Sequence, residues 1–255
     1  MTERRPIAMP KPASSILLIR DGGQGLEVLM TERAQTMRFA PGAFVFPGGK
    51  VDRMDQAFWR WQGRTTGVKA YRDLPYRVAA LRELYEEAGV LHMEEPVGDA
   101  HLVHRIPARV PFSRVLEIAG GLLDTASLVP FAHWVTPEPM PRRFDTYFYL
   151  AAHKGQAARH DGSEAVSMKW VSPRKLLADW EAERTPLMFP TRLNLMKLAR
   201  ASTVTQALLE ARRERIVRTL PQVNMQDRGV RLTIDAATGY GVTEATEREL
   251  SVERP

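Results

Sequence analysis

The sequence predicts a mixed α/β fold, and three observations carry that expectation. Short apolar runs recur between turns rich in Gly, Pro and Asp, as paired strands require. One segment, Pro75–Ala88, instead repeats its apolar residues at helical spacing. Past Pro186 the pattern becomes mainly helical. No internal repeat or low-complexity tract interrupts this order.

Residues 1–12 are polar and Pro-rich and read as a loose leader. Ser14–Arg20 and Leu26–Arg33 read as strands, with Asp21-Gly22-Gly23-Gln24-Gly25 as the turn between them. Ala43–Phe46 is a short apolar run that ends at Pro47-Gly48-Gly49. From Asp55 to about Arg72 there is no clear period, and Trp59, Arg60, Trp61, Arg64 and Lys69 are interleaved. In the helix that follows, Val78, Leu81, Leu84 and Ala88 mark one apolar stripe. Asp73 suits the N-cap, and Pro75 falls in the first turn, where its missing N–H is not needed. Gly89 supplies the left-handed stop. Strands follow around Leu128–Val135, Thr146–Ala152 and Val166–Val171, then a helix from about Pro173 to Glu183. Leu193–Ala201 and Thr205–Arg218 read as helices, the second basic on its outer face. Val230–Ile234 reads as a last strand, and the polar tail from Thr243 as frayed.

A chain of 255 residues can bury a sizeable core in one or two domains. Cys is absent, which excludes disulfides, thiolate metal sites and a cysteine nucleophile. No apolar run approaches the roughly 18–20 residues of a membrane span. The apolar stretch Ser14–Ile19 is too short for a signal peptide, and Glu253-Arg254-Pro255 matches no lipidation or peroxisomal address. The expectation is a cytoplasmic protein. A net charge of +6 suits a polyanionic partner. The basic residues are scattered rather than blocked, which weighs against nucleic acid and toward a small molecule. A homodimer is compatible with the sequence.

The chemistry lies in Arg82-Glu83-Leu84-Tyr85-Glu86-Glu87-Ala88-Gly89-Val90. On a helix, offsets of zero, three and four put Glu83, Glu86 and Glu87 on one face, away from the apolar stripe. Three crowded carboxylates repel one another. A hard divalent cation such as Mg²⁺ turns that repulsion into coordination, and can hold a phosphate chain and acidify a bound water. A solvated acidic face is the commoner meaning of three such residues. The wider string R-E-[aliphatic]-x-E-E-x-G-[aliphatic] is far more constrained. Its chance occurrence in a chain this long is on the order of one in 10⁵.

That string resembles the second half of the Nudix box, G-x(5)-E-x(7)-R-E-U-x-E-E-x-G-U, where U is aliphatic. Pro47-Gly48-Gly49 resembles its loop opening, and Asp55 stands where the family has Glu. Twenty-six residues separate Asp55 from Arg82, where the simple box has seven, so the copy carries a nineteen-residue insertion. Such an interrupted box is similar to that of a subgroup including the peroxisomal coenzyme A diphosphatases of mammals. The resemblance implies an α/β/α sandwich over residues 12–184, interrupted at about 56–74, with a helical C-terminal extension over 185–255 packed on it. It implies hydrolysis of a pyrophosphate bond with Mg²⁺ or Mn²⁺. Glu83, Glu86 and Glu87 would hold the metal, Asp55 would add a ligand directly or through water, with Asp52 as a substitute, and Arg82 would orient a Glu. Gly49 would allow the tight loop.

Leu29 to Gly49 is also similar to the signature L-L-T-x-R-[SA]-x(3)-R-x(3)-G-x(3)-F-P-G-G of Nudix coenzyme A diphosphatases, departing only at Met30. On that likeness Arg33, Arg38, Gly48 and Gly49 would bind substrate, the arginines as planar forks for phosphate oxygens. The products of coenzyme A would be 3′,5′-ADP and (acyl-)phosphopantetheine. Aromatic and basic residues of the insertion could stack adenine, or the tryptophans could simply pack the inserted segment. Glu164 stands where many Nudix proteins place a further acid, as metal ligand or general base, and Glu138 is a weaker candidate. Two rivals stay open: an ADP-ribose or nucleotide-sugar diphosphatase, and a Nudix protein that binds a nucleotide or RNA without turnover. His101 and His104 lack zinc partners, and Ser163 has no nucleophile-elbow context.

Overall fold

Strand β1 (Lys11–Gly22) carries Ile16, Leu17, Leu18 and Ile19 in succession, all completely buried. A strand that is apolar on both faces must be covered on both. The computed structural model, which describes residues 7–34, 36, 40–57, 61, 63–67, 71–95, 106, 110–156, 165–226 and 229–252, shows how this is done. β1 pairs antiparallel with β2 (Gly25–Arg33) through a tight hairpin and parallel with β6 (Phe144–Ala152). Beyond β2 lie β3 (Phe44–Val45) and β7 (Ala165–Val171). Beyond β6 lie β5 (Val129–Val135) and β8 (Arg218–Thr219). The short β4 (Gly48–Lys50) pairs with the first half of β1.

Helices cover each face. Ile16 and Leu18 pack with Tyr149 against Val78, Leu81 and Leu84 of α1 (Leu74–Ala88) and Val115 and Leu116 of α2 (Phe112–Ala119). Leu17 and Ile19 share the opposite core with Leu176 of α3 (Pro173–Glu181), Leu193 and Leu195 of α4 (Phe189–Leu198), and Ala207 of α5 (Val204–Arg213). The layers are therefore α/β/α, and the residues after 185 belong to the same core as the sheet.

Several local expectations need correction. Asp73 occupies the N-cap position, but its carboxylate accepts from Arg77 Nε at 2.7 Å rather than capping α1. Arg77 then reaches the carbonyls of Thr125 and Leu128, so Asp73 helps tie α1 to the approach to β5. Gly48-Gly49 form a strand rather than an open loop. The helix expected to reach Arg218 ends at Arg213, where Glu214 turns extended and leads into β8. The strand expected at Val230–Ile234 is β10 (Gly229–Thr233), and it pairs in a hairpin with β9 (Gln222–Gln226), which was not foreseen.

The polar tail is not frayed through its described part. Helix α6 (Glu247–Val252) docks, and the Glu249 side chain is 0% exposed. Its carboxylate pairs with the buried Arg192 of α4 through both Nε and Nη2, and also accepts from the Thr246 N–H and hydroxyl. Arg192 stacks over Trp180 at 4.6 Å. Removing one partner of a buried pair strands the other, at about 3–5 kcal/mol. Glu249→Ala is expected to lower the melting temperature by roughly 10 °C in calorimetry. Arg192→Leu combined with Glu249→Leu should cost less than Glu249→Ala alone. An unchanged melting temperature in Glu249→Ala would show the tail to be undocked.

His92 follows α1, its side chain almost wholly covered and its Nε2 2.9 Å from Ser127 Oγ. Burial holds its pKa down to about 4, with Asp124 opposing that and Lys154 reinforcing it. The unfolded chain takes up this proton near pH 6.5 and the folded chain only near pH 4. Unfolding therefore binds more protons between those values. The stability of the neutral ring is complete above about pH 6.5 and is lost as pH falls toward 4, by about 3 kcal/mol over the interval. His92→Phe should flatten the acid limb of a urea-stability profile across this window; identical slopes in both proteins would refute the assignment.

Candidate active site

The candidate site forms where α1 passes over β4 and the turn that follows it. The apolar stripe of α1 faces the sheet, so its 82–87 segment carries its acids toward the β4 edge. Gly89 adopts φ 63°, and its N–H closes the last turn on the Tyr85 carbonyl at 2.8 Å. β4 is held by the Ser15 hydroxyl, which donates to the Pro47 carbonyl at 2.9 Å. Two glycines make the approach possible. A Cβ on Gly48 would lie 2.5 Å from the Ser14 carbonyl oxygen, and one on Gly49 would lie 2.3 Å from Glu83 Oε1. The Glu83 carboxylate thus rests in a slot over bare backbone.

Arg82 is the centre of the arrangement, and each of its three nitrogens faces an acid. Nε and Nη2 grip Asp55 as a fork at 3.0 Å each, and Nη2 also reaches the Lys50 carbonyl at 2.9 Å. Nη1 lies 2.7 Å from Glu86 Oε2 and 2.9 Å from Glu83 Oε1. Burial alone would lower the Arg82 pKa, but the hydrogen bonds and charge of Asp55, then Glu83 and Glu86, raise it overall. Burial pushes the Glu83 and Glu86 carboxyls upward, as does neighbouring negative charge, while Arg82 pulls both back. Glu86 is 45% exposed, and Glu87 is half-buried on the same helix.

Asp55, expected to add a metal ligand directly or through water, has a side chain that is 0% exposed, with both oxygens on Arg82 and one also accepting from the Asp52 N–H. It anchors the arginine from behind. Asp52 caps the same turn through the Met54 and Asp55 N–H groups and remains half exposed. Trp61 is buried, donates to the Met54 and Asp55 carbonyls at 3.1 Å, and packs on Phe112. Of the two readings of the insertion, Trp61 follows the packing one; Trp59, Arg60 and Lys69 lie outside the described residues. Arg33 ends β2 at a bulge against β7, its N–H on the Ala43 carbonyl. Arg38 and Glu164 lie outside the described residues, as do His101 and His104. Sequence reasoning missed α2, although Phe112, Val115, Leu116 and Ala119 fall at helical spacing.

Among the described residues no three acidic or imidazole groups converge on one point as the side chains stand, because Arg82 draws Glu83 and Glu86 to its own Nη1. The donor set still fits a hard divalent cation in kind. It offers only carboxylate oxygens, on one helix, with the Glu83 carboxylate seated where Gly49 leaves room.

A mixed sheet with helices on both faces, and an acid-bearing helix set over a glycine strand, define a protein of the Nudix fold. A solved Nudix hydrolase from Alicyclobacillus acidocaldarius shares it with a TM-score of 0.66 and 28% identity, over 80% of this chain and 97% of that one. A family model described as the NUDT19 Nudix domain matches residues 58–198, more than half of the chain. The chain belongs to that family. It is similar to the acyl-coenzyme A diphosphatase NUDT19 of Homo sapiens, 25% identical over 71% of this chain and 63% of the relative. It is likewise similar to that of Xenopus laevis, 23% identical over 71% and 61%. The chain spans about three-fifths of the length of these relatives. No helix among the described residues is long and apolar enough to cross a membrane.

Gly49→Ala is expected to preserve the fold, since the clash falls on the movable end of Glu83, and to displace that carboxylate. Mn²⁺ affinity measured by titration should fall about tenfold. Unaltered Mn²⁺ binding in this variant would remove Glu83 from the ligand set.

Proposed function

We propose that the protein hydrolyses the diphosphate linkage of coenzyme A or acyl-coenzyme A, releasing 3′,5′-ADP and (acyl-)phosphopantetheine, with Mg²⁺ or Mn²⁺. The observation that carries this reading is the set of three Glu on α1, with Glu83 and Glu86 paired to Arg82 and Glu83 seated over Gly49. The coenzyme A signature ending at that glycine and the names of the NUDT19 relatives support the substrate. Glu83, Glu86 and Glu87 would hold the metal. When bound, it supplies neutralisation of the diphosphate charge and a more acidic water. Asp55 keeps Arg82 in place, and Arg82 in turn pairs with Glu83 and Glu86, aims them and opposes the upward push of burial on their carboxyls. Arg33 and Arg38 are assigned to phosphate oxygens, and Glu164 to the added acid or base, on the sequence pattern.

Product analysis after incubation with coenzyme A, an acyl-coenzyme A and ADP-ribose tests the reading. Cleavage of the first two to 3′,5′-ADP is expected with Mg²⁺ or Mn²⁺, and none after chelation by EDTA. Comparable rates on ADP-ribose would move the substrate to that rival class. Glu86→Gln should cut turnover by at least about a hundredfold while the circular dichroism spectrum holds. Full turnover in Glu86→Gln would mean that these acids do not form the metal site.

A further inference from the structure

A cleft of about 240 Å³ opens directly beside Glu86. One side is acidic, formed by Asp52 and Glu86 with Arg82 between them. The other is apolar, formed by Met54, Trp61, Val110 and Phe112. Its size is below the roughly 300–1,000 Å³ of pockets that enclose a whole drug-sized ligand, so it suits one arm of a substrate. Its apolar wall comes from outside the catalytic helix: Trp61 belongs to the insertion, and Val110 and Phe112 belong to the entry to α2.

Charge decides which arm. Arg82 is the only cation lining the cleft among the described residues, and its donors are already engaged by Asp55, Glu83, Glu86 and the Lys50 carbonyl. A phosphate-bearing adenosine half placed there would meet Asp52 and Glu86 and, among the described lining residues and apart from a metal on Glu86, no free counter-charge. A neutral chain would meet no such penalty, and its methylenes would bury against Met54 and Phe112. Met54 is 44% exposed, an apolar side chain held at the mouth. We infer that this cleft is the subsite for the uncharged pantetheine–acyl arm of the substrate, running from the metal-binding face along the insertion. The inference rests on the diphosphatase reading for its substrate class, and its binding test does not depend on turnover.

The probe is S-octanoyl-pantetheine, which carries no phosphate, titrated calorimetrically into the full chain. Binding in the millimolar range or tighter is expected. Met54→Glu places a carboxylate on the apolar wall and leaves the backbone bonds of that turn in place. It should weaken the probe about tenfold, Met54→Ala should weaken it less, and 3′,5′-ADP should bind both variants as it binds the parent. Absence of probe binding, or equal binding to parent and Met54→Glu, overturns the assignment. So does a selective loss of 3′,5′-ADP in Met54→Glu, which would put the charged half in the cleft. Probe binding that is sensitive to Met54 in a protein that fails to cleave coenzyme A would uphold the cleft and sink the hydrolase reading. Cleavage without probe binding would do the reverse.

Discussion

A single guanidinium organises the acidic end of this molecule. Asp55, Glu83 and Glu86 approach one another closely enough to repel strongly, and Arg82 stands between them. Only arginine offers five donors in a planar fork that can grip one carboxylate from two nitrogens and still serve others. Lysine would bring one point of charge and leave the Lys50 carbonyl or an acid unmatched. Because Asp55 lies on the turn after β4 and Arg82 on α1, the ion pair between them also locks the helix to the turn. Burial of such a cluster is unfavourable by itself. It persists because every guanidinium nitrogen is paired and because α1 is fixed independently by its apolar stripe.

The second constraint is steric and comes from β1. A strand buried on both faces fixes where α1 can lie, and the β4 edge must then fit beneath the acidic side of the helix. Side chains at 48 and 49 would strike the β1 backbone and the Glu83 carboxylate respectively. The two glycines differ in consequence. The neighbour of Gly48 is backbone and cannot yield, whereas the neighbour of Gly49 is the end of a flexible side chain.

Legibility in the sequence followed the range of the interaction. Helix α1 and its glycine stop could be read because period and cap are local. The acids on one face could be read for the same reason. The role of Asp55 could not: its partner is twenty-seven residues away, and nothing local distinguishes a carboxylate that faces an ion from one that faces an arginine. The tail misled through composition, since a buried Arg192–Glu249 pair looks as polar as a solvated one. Strands β4 and β8 were hidden by brevity and by glycine, which carries no pattern. Helix α2 was readable, and its spacing was overlooked amid a stretch without strong caps.

The occupancy of Arg82 also bears on how a diphosphate could be held. The chain carries a net charge of +6, yet the face beside α1 is acidic, and Arg82 at its centre is already engaged by Asp55, Glu83, Glu86 and the Lys50 carbonyl. A polyanionic substrate brought to bare carboxylates would be repelled. The surplus of positive charge can steer such a substrate toward the molecule at long range, but screening removes it as a local partner beyond about 10 Å. On the proposed function, something of positive charge enters with the substrate or before it. The carboxylates that would repel a lone diphosphate are the groups suited to hold a hard divalent cation. On this argument the acidity of the face and the negative charge of the substrate are reconciled by a metal ion rather than by Arg82, whose work is to keep the acids in place until the ion arrives.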